Sequence, residues 1–282
     1  GRGAVRDDRP GGEPPAPGEH AGEPGALSVF PLLDAGLLTG EGVLVGHADT
    51  GLDTGDAGNL HADLAGRLEQ ALVVTPNLSS WSDLSGHGTH TAGAIVGTGA
   101  ASTNRYRGVA PGAKLFHQTI GYGRGSSLYV PDDIAELFAP AHDAGARIHS
   151  DSWGNTSTAY DSDAQGTDEF VFDHPGFLVV FAVGNAGGDA DGDGVVDRGS
   201  CQSPATAKNI LAVGAAENAR DRSEGTPCNR TYKSLYGFKA DPIASDYPSE
   251  PFDGVAGHTG MAPFSSRGPA REIGRASCRE RV

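Results

Sequence analysis

Residues 42–51 read Gly42-Val-Leu-Val-Gly-His-Ala-Asp-Thr-Gly51. The first seven residues form a short apolar run that stops on Asp49-Thr-Gly. A run of this length, closed by turn chemistry, predicts a short buried strand over 42–48. An Asp at the end of such a strand is costly to bury unless something pairs with it. Asp49 therefore calls for a partner elsewhere in the chain.

Working outward, the same logic predicts strands over 113–120, 147–150, 177–182 and 209–214. The small-residue run over 87–96 predicts a buried helix. Ile134, Leu137, Phe138 and Ala141 have helical spacing and predict a second helix over 132–144. A third helix is expected over 165–174, ended by Pro175. Apolar strands alternating with helices imply an α/β fold with a mostly parallel sheet covered on both faces. In such sheets the working residues sit at the carboxyl ends of the strands. No internal repeat is evident.

The 282 residues are enough for one large domain with a sizeable core. Residues 1–26 are rich in Gly, Pro, Glu and Arg and read as a flexible linker or a propeptide junction, which leaves 27–271 as the domain. The net charge of −15 argues against nucleic acid or an anionic membrane as the main partner. No apolar run approaches the ~20 residues of a membrane span.

Three motifs carry the chemistry. Asp49-Thr-Gly51 could hold a histidine in one tautomer and stabilise its imidazolium, or could simply form a turn. It also resembles an aspartic-protease tripeptide, but no distant second copy supplies the dyad. Gly86-His87-Gly-Thr-His90-Thr-Ala-Gly93 puts His87 at the first turn of a helix. His87 and His90 lack both the Glu and the i,i+4 spacing of a zinc helix. Val183-Gly184-Asn185-Ala-Gly187 follows an apolar strand directly, so the Asn185 amide could donate to a developing oxyanion or serve a turn.

The order and spacing of these motifs resemble the subtilisin-like serine proteases (subtilases), whose order is Asp, His, oxyanion Asn, Ser. The resemblance spans roughly residues 30–270. Asp49-Thr-Gly-Leu-Asp-Thr-Gly55 matches the Asp block and His87-Gly-Thr-His-Thr-Ala-Gly93 the His block. Ser150-Asp-Ser-Trp-Gly154 is similar to the edge strand that pairs with substrate backbone. Gly184-Asn185 matches the oxyanion block, and Ser203 to Ala215 and Phe264-Ser-Ser-Arg-Gly-Pro269 also fit. The run over 146–150 and the Asp block look most similar to the oxidation-stable alkaline protease branch.

The resemblance implies a doubly wound sandwich, incomplete at its C-terminus, with Asp49 and His87 catalytic and Asn185 in the oxyanion hole. Ser152, Trp153, Gly154 and Gly184 would bind substrate. It further implies a secreted or extracytoplasmic monomer acting on polypeptides. The family's nucleophile lies in a Gly-Thr-Ser-Met-Ala block after the Phe-Ser-Ser landmark, and no such block occurs in these 282 residues. Ser265 and Ser266 belong to the landmark and are not candidates for the nucleophile. A non-catalytic peptide-binding pseudopeptidase and a calcium-stabilised structural module are the rival readings.

Asp189-Ala-Asp191-Gly-Asp193-Gly-Val-Val-Asp197 spaces carboxylates at positions 1, 3, 5 and 9 with Gly at 6, a pattern suited to calcium. Ser200 stands where an EF-hand has Glu. Residues 272–282 resemble the read-through translation of a sequencing-library adapter, and are expected to lie outside the native chain. Without their three Arg and two Glu the charge goes from −15 to −16. Cys278 then drops out, leaving Cys201 and Cys228, which could pair in an exported protein. The stretch over 220–262 carries no assignable role.

Overall fold

The computed structural model describes residues 36, 38–104, 106–122, 127–188, 190, 191, 196–215, 262 and 264–270. The proposed linker, most of the 220–262 stretch, Cys228 and the adapter-like tail lie outside the described residues.

Among the described residues six strands form one parallel sheet. They are β1 (Leu44–Asp49), β2 (Leu68–Val73), β3 (Lys114–Thr119), β4 (Ile148–Asp151), β5 (Leu178–Ala182) and β6 (Leu211–Val213). Their spatial order is β2-β3-β1-β4-β5-β6. From β1 at the centre the chain passes to the edge strand β2, returns to β3 between them, then crosses to the other side of β1. The reversal makes the carboxyl end of β1 the topological switch point, where open α/β sheets place their ligands.

Period-2 alternation sorts the side chains of β1 and β3 between two cores. Val45 and Leu115 meet Ala92 and Val96 of α1 (His87–Val96) on one face. On the other face Ala48, Phe116 and Ile120 pack with Leu137, Phe138 and Ala141 of α2 (Ala135–Asp143) and Phe170 of α3 (Ser162–Asp173). Helices on both faces of a parallel sheet are what the sequence pattern implies.

The departures from expectation have local causes. The helix expected from residue 132 begins at Ala135, because the Asp133 side chain accepts the Ala135 N–H at 2.9 Å and ends the preceding turn. The helix expected from residue 165 begins three residues earlier, where Asp161 caps it by accepting the Ala164 N–H at 3.2 Å. Strand β2 was not foreseen. It lies at the sheet's edge, Glu69 and Gln70 are exposed, and its register with β3 slips between Leu68 and Gln70. An edge strand with a bulge shows neither an apolar run nor a clean alternation.

Candidate active site

Asp49 is the last residue of β1 and is fully buried. Its Oδ1 accepts the Thr50 N–H at 2.7 Å and lies 2.7 Å from His87 Nδ1. Its Oδ2 accepts the Thr91 hydroxyl at 3.1 Å. Both oxygens of the carboxylate are therefore satisfied, as a buried charge requires. Burial pushes the Asp49 carboxyl up. The hydrogen bond from His87, the neighbouring His47 and the Thr50 amide outweigh it and hold the group below its ordinary value.

His87 opens α1 and its side chain is half exposed. The hydrogen bond it donates to Asp49 raises its pKa, against a smaller opposing effect of burial, and the Asp49 and Asp83 charges add to the rise. With Nδ1 held by the carboxylate, the other ring nitrogen is left for proton transfer.

The approach of α1 to the end of β1 depends on Gly88. A Cβ there would lie 2.2 Å from the Gly51 carbonyl oxygen and 3.0 Å from Asp49 Cβ. Asp83 fixes the helix start. Its carboxylate accepts the backbone N–H groups of Ser85 (3.1 Å), Gly86 (2.8 Å) and Thr89 (2.8 Å), and the hydroxyls of Thr50 (2.9 Å) and Thr89 (2.6 Å). Thr50 in turn accepts the Gly88 N–H at 2.9 Å, tying the residue after Asp49 to the residue after His87. Asp83 escaped the sequence reading, although a carboxylate a few residues before a helix start is a capping signal. Asp83→Ala is expected to lower unfolding free energy by about 2–3 kcal/mol in denaturant titration, since it strands several donors at once. A loss under about 0.5 kcal/mol would show that the Asp83 bonds contribute little beyond an ordinary surface residue.

The remaining predicted site residues follow the carboxyl ends of β4 and β5, the next two strands along the sheet. At parallel-sheet spacing the β4 residues lie about 5 Å and the β5 residues about 10 Å across from β1. Ser152 is half-buried and Gly154 exposed. The Asn155 N–H donates to the Ser203 carbonyl at 2.9 Å, backing this segment from one side. The Trp153 side chain turns into the core, where its Nε1–H donates to the Ala48 carbonyl at 2.9 Å and its ring meets Phe181 edge-on. Only the backbone of Trp153 is left to face a substrate.

Asn185 is exposed in the loop after β5. Gly184 has φ +100°, and a Cβ there would lie 2.0 Å from Gln202 Oε1. The loop is held by Ser266, whose N–H donates to the Gly184 carbonyl and whose Oγ accepts the Ala186 N–H, each at 3.0 Å. Ser265 Oγ accepts the Ala215 N–H at 3.1 Å. Both serines are buried structural groups.

Asp189 and Asp193 lie outside the described residues. Of the other two acidic positions, Asp197 accepts the Ala190 N–H at 2.8 Å and donates its own N–H to the Gly188 carbonyl at 2.7 Å. Among the described residues no three His, Cys, Asp or Glu side chains come together as a metal site. Cys201 is buried beside the Ala205 carbonyl, and burial raises its thiol pKa. Among the described residues no helix is long and apolar enough to cross a membrane.

Two further histidines are buried behind Asp49. Burial lowers the pKa of His47, against the raising effect of Asp49 and Asp151, and lowers that of His117 well below its ordinary value. The unfolded chain therefore binds more protons than the folded one from about pH 6.5 downward. His87 is shifted the other way; its stabilising contribution is complete below 6.5 and adds no slope there. Thermal stability is thus expected to fall as pH drops from 7 to 5, by up to about tenfold in the folding constant per pH unit for each suppressed proton. A melting temperature that stays level or rises over that range would contradict the neutral assignment of His47 and His117.

A parallel α/β sheet with a buried Asp bonded to a half-exposed His at its switch point defines a class of hydrolase-like folds. The Subtilase family model matches residues 40–276. The chain belongs to the subtilase family. It is 33% identical over 233 residues to subtilisin Savinase of Lederbergia lenta, covering 80% of this chain and 73% of that protein. It is 32% identical over 202 residues to the serine protease/ABC transporter B family protein tagD of Dictyostelium discoideum, covering 65% of this chain but 10% of that protein. The serine protease AprX of Bacillus subtilis is 29% identical, over 73% of this chain and 46% of that protein. The chain thus spans only a small part of some of its relatives. Among solved structures, the sphericase structure shares 28% identity at a TM-score of 0.51, covering 66% of this chain and 57% of that one.

Proposed function

We propose that the protein carrying this chain is a serine endopeptidase, and that residues 27–271 supply all of its acid–base pair but not its nucleophile. The observation that carries this reading is the 2.7 Å bond from His87 Nδ1 to Asp49 Oδ1 at the switch point. In this reading Asp49 fixes the tautomer and orientation of His87. His87 takes the proton of a Ser beyond the Phe264-Ser-Ser landmark, then returns it to the leaving amine. Asn185 donates to the tetrahedral oxyanion, and the backbone of Ser152, Trp153 and Gly154 receives the polypeptide as an added strand, with Gly184 beside it. The protein acts as a secreted or extracytoplasmic monomer.

The test is hydrolysis of a peptide substrate by the full-length protein. Activity that is lost in His87→Ala supports the assignment. Activity that persists at wild-type level in that variant overturns it, and a full-length protein that binds peptide without cleaving it favours the pseudopeptidase.

The carboxylates of Asp189, Asp191, Asp193 and Asp197 are hard oxygen donors of the kind calcium takes. Bound there, calcium would brace the loop that follows Asn185. The melting temperature is expected to rise with added calcium and to fall on chelation; an unchanged value speaks against the site.

A further inference from the structure

The face of the sheet toward α1 buries a polar grid behind Asp49. His47 and Asp49 of β1 stand in register with His117 and Thr119 of β3, and the two-residue period points all four to the same side. All four are buried. Thr91 of α1 lies over them. The contacts form one line: Thr119 Oγ to His117 Nε2 at 3.0 Å, His117 Nδ1 to His47 Nδ1 at 3.0 Å, His47 Nε2 to Thr91 Oγ at 2.9 Å, and Thr91 Oγ to Asp49 Oδ2 at 3.1 Å.

Two ring nitrogens at 3.0 Å share a single proton, so one histidine donates and the other accepts. With both rings neutral, the line has two polarities; Thr91 Oγ also lies 3.1 Å from the Gly88 carbonyl and 3.2 Å from the His87 carbonyl, and the charged Asp49 oxygen is the strongest of its three acceptors. In the first, each group donates toward Asp49: Thr119 to His117, His117 to His47, His47 to Thr91, and Thr91 to the carboxylate. In the second, every proton points the other way. Thr91 then gives its proton to His47, Asp49 Oδ2 loses its hydroxyl donor, and Thr119 is left to donate to the Trp81 carbonyl at 3.4 Å. The first polarity places a charge-assisted bond on a fully buried carboxylate oxygen; the second removes it in exchange for a long neutral bond.

We propose that His47, His117 and Thr91 are positioning residues: they form a one-way chain of donors that ends on Asp49 Oδ2, the oxygen His87 does not use. The proposal rests on the reading of Asp49 and His87 as the acid–base pair. By drawing charge toward Oδ2, the chain limits how strongly Oδ1 holds the proton on His87 Nδ1, and so sets the basicity of His87. The ionisable groups around it are Asp49, Asp151, His149 and His87, which act on His47, and His47 and Asp49, which act on His117.

The first test reads the tautomers directly, by nitrogen NMR of the wild-type chain labelled at histidine. Neutral His47 protonated at Nε2 together with neutral His117 protonated at Nδ1 is the expected result. The reversed pair, or a charged ring at either position at neutral pH, overturns the proposal. The second test follows the titration midpoint of His87 in Thr91→Val and Thr91→Ser. Loss of the hydroxyl leaves Asp49 more basic, so the midpoint is expected to move up in Thr91→Val and to return to wild type in Thr91→Ser. Loosened packing alone would weaken the Asp49–His87 bond and move the midpoint down. A downward shift, or none, in Thr91→Val overturns the proposal. Neither readout uses hydrolysis, so failure of the full-length protein to cleave peptides counts against the proposed function and leaves these outcomes to decide the donor chain.

Discussion

Asp49→Asn in the full-length protein is expected to lower kcat by about 10⁴-fold with little change in KM. The substitution keeps the side chain's shape but replaces one oxygen by a donor. In wild type Oδ1 takes both His87 Nδ1–H and the Thr50 N–H, while Oδ2 takes the Thr91 hydroxyl. A single amide oxygen cannot serve both sets. If the oxygen stays with Thr91, an amide N–H faces His87 Nδ1, and the imidazole turns to its other tautomer with Nε2 protonated. That ring cannot accept a proton from a serine. In the proposed reading substrate contacts fall on the β4 and β5 loops, so binding is expected to be spared. Steady-state kinetics on a peptide substrate check this; a loss under about tenfold would mean that Asp49 does not set the state of His87.

The second large effect is on stability. Trp153→Ala is expected to lower unfolding free energy by about 3–5 kcal/mol, measured by denaturant titration. The indole is buried, packs edge-on against Phe181 at 5.0 Å between centroids, and lies within the core shared by β5, α2 and α3. Its Nε1–H also satisfies the carbonyl of Ala48, the residue before Asp49. The deletion therefore opens a cavity and leaves a buried acceptor unpaired at the foot of the site. Trp153→Phe separates the two parts. It retains most of the packing and loses only the bond, for about 1–3 kcal/mol. A loss under about 1 kcal/mol in Trp153→Ala would place the side chain in the substrate cleft rather than the core.

Trp153 also shows where sequence reading reached its limit. Ser152-Trp-Gly154 was legible as a segment at the end of a strand, since the short strand expected over 147–150 and the apolar run at 177–182 predicted β4 and β5 to within a residue or two. The direction of one side chain depends on the pleat phase past the strand's end, which no local pattern records. The same holds for Asp83. Its five bonds converge on Thr50, Thr89 and the start of α1 because the fold brings residues 50 and 83 together, while in sequence Asp83 is one acid among many. Asp49 and His87 were legible because the order and spacing of their motifs resemble those of the subtilases; burial at a strand end shows only that Asp49 needs some partner. The His47–His117 contact was written in the alternation of β1 and β3 but required their register, which only the sheet order supplies. Edge strand β2 left no signal, because neither of its faces needs to be consistently apolar.

The most direct measurement of the central claim is labelling of the full-length protein with a fluorophosphonate, followed by peptide mapping by mass spectrometry. The expected result is one adduct, on a serine outside residues 27–271, formed by the wild type and suppressed in His87→Ala. An adduct on Ser265 or Ser266, or labelling that is equally fast without His87, would contradict it.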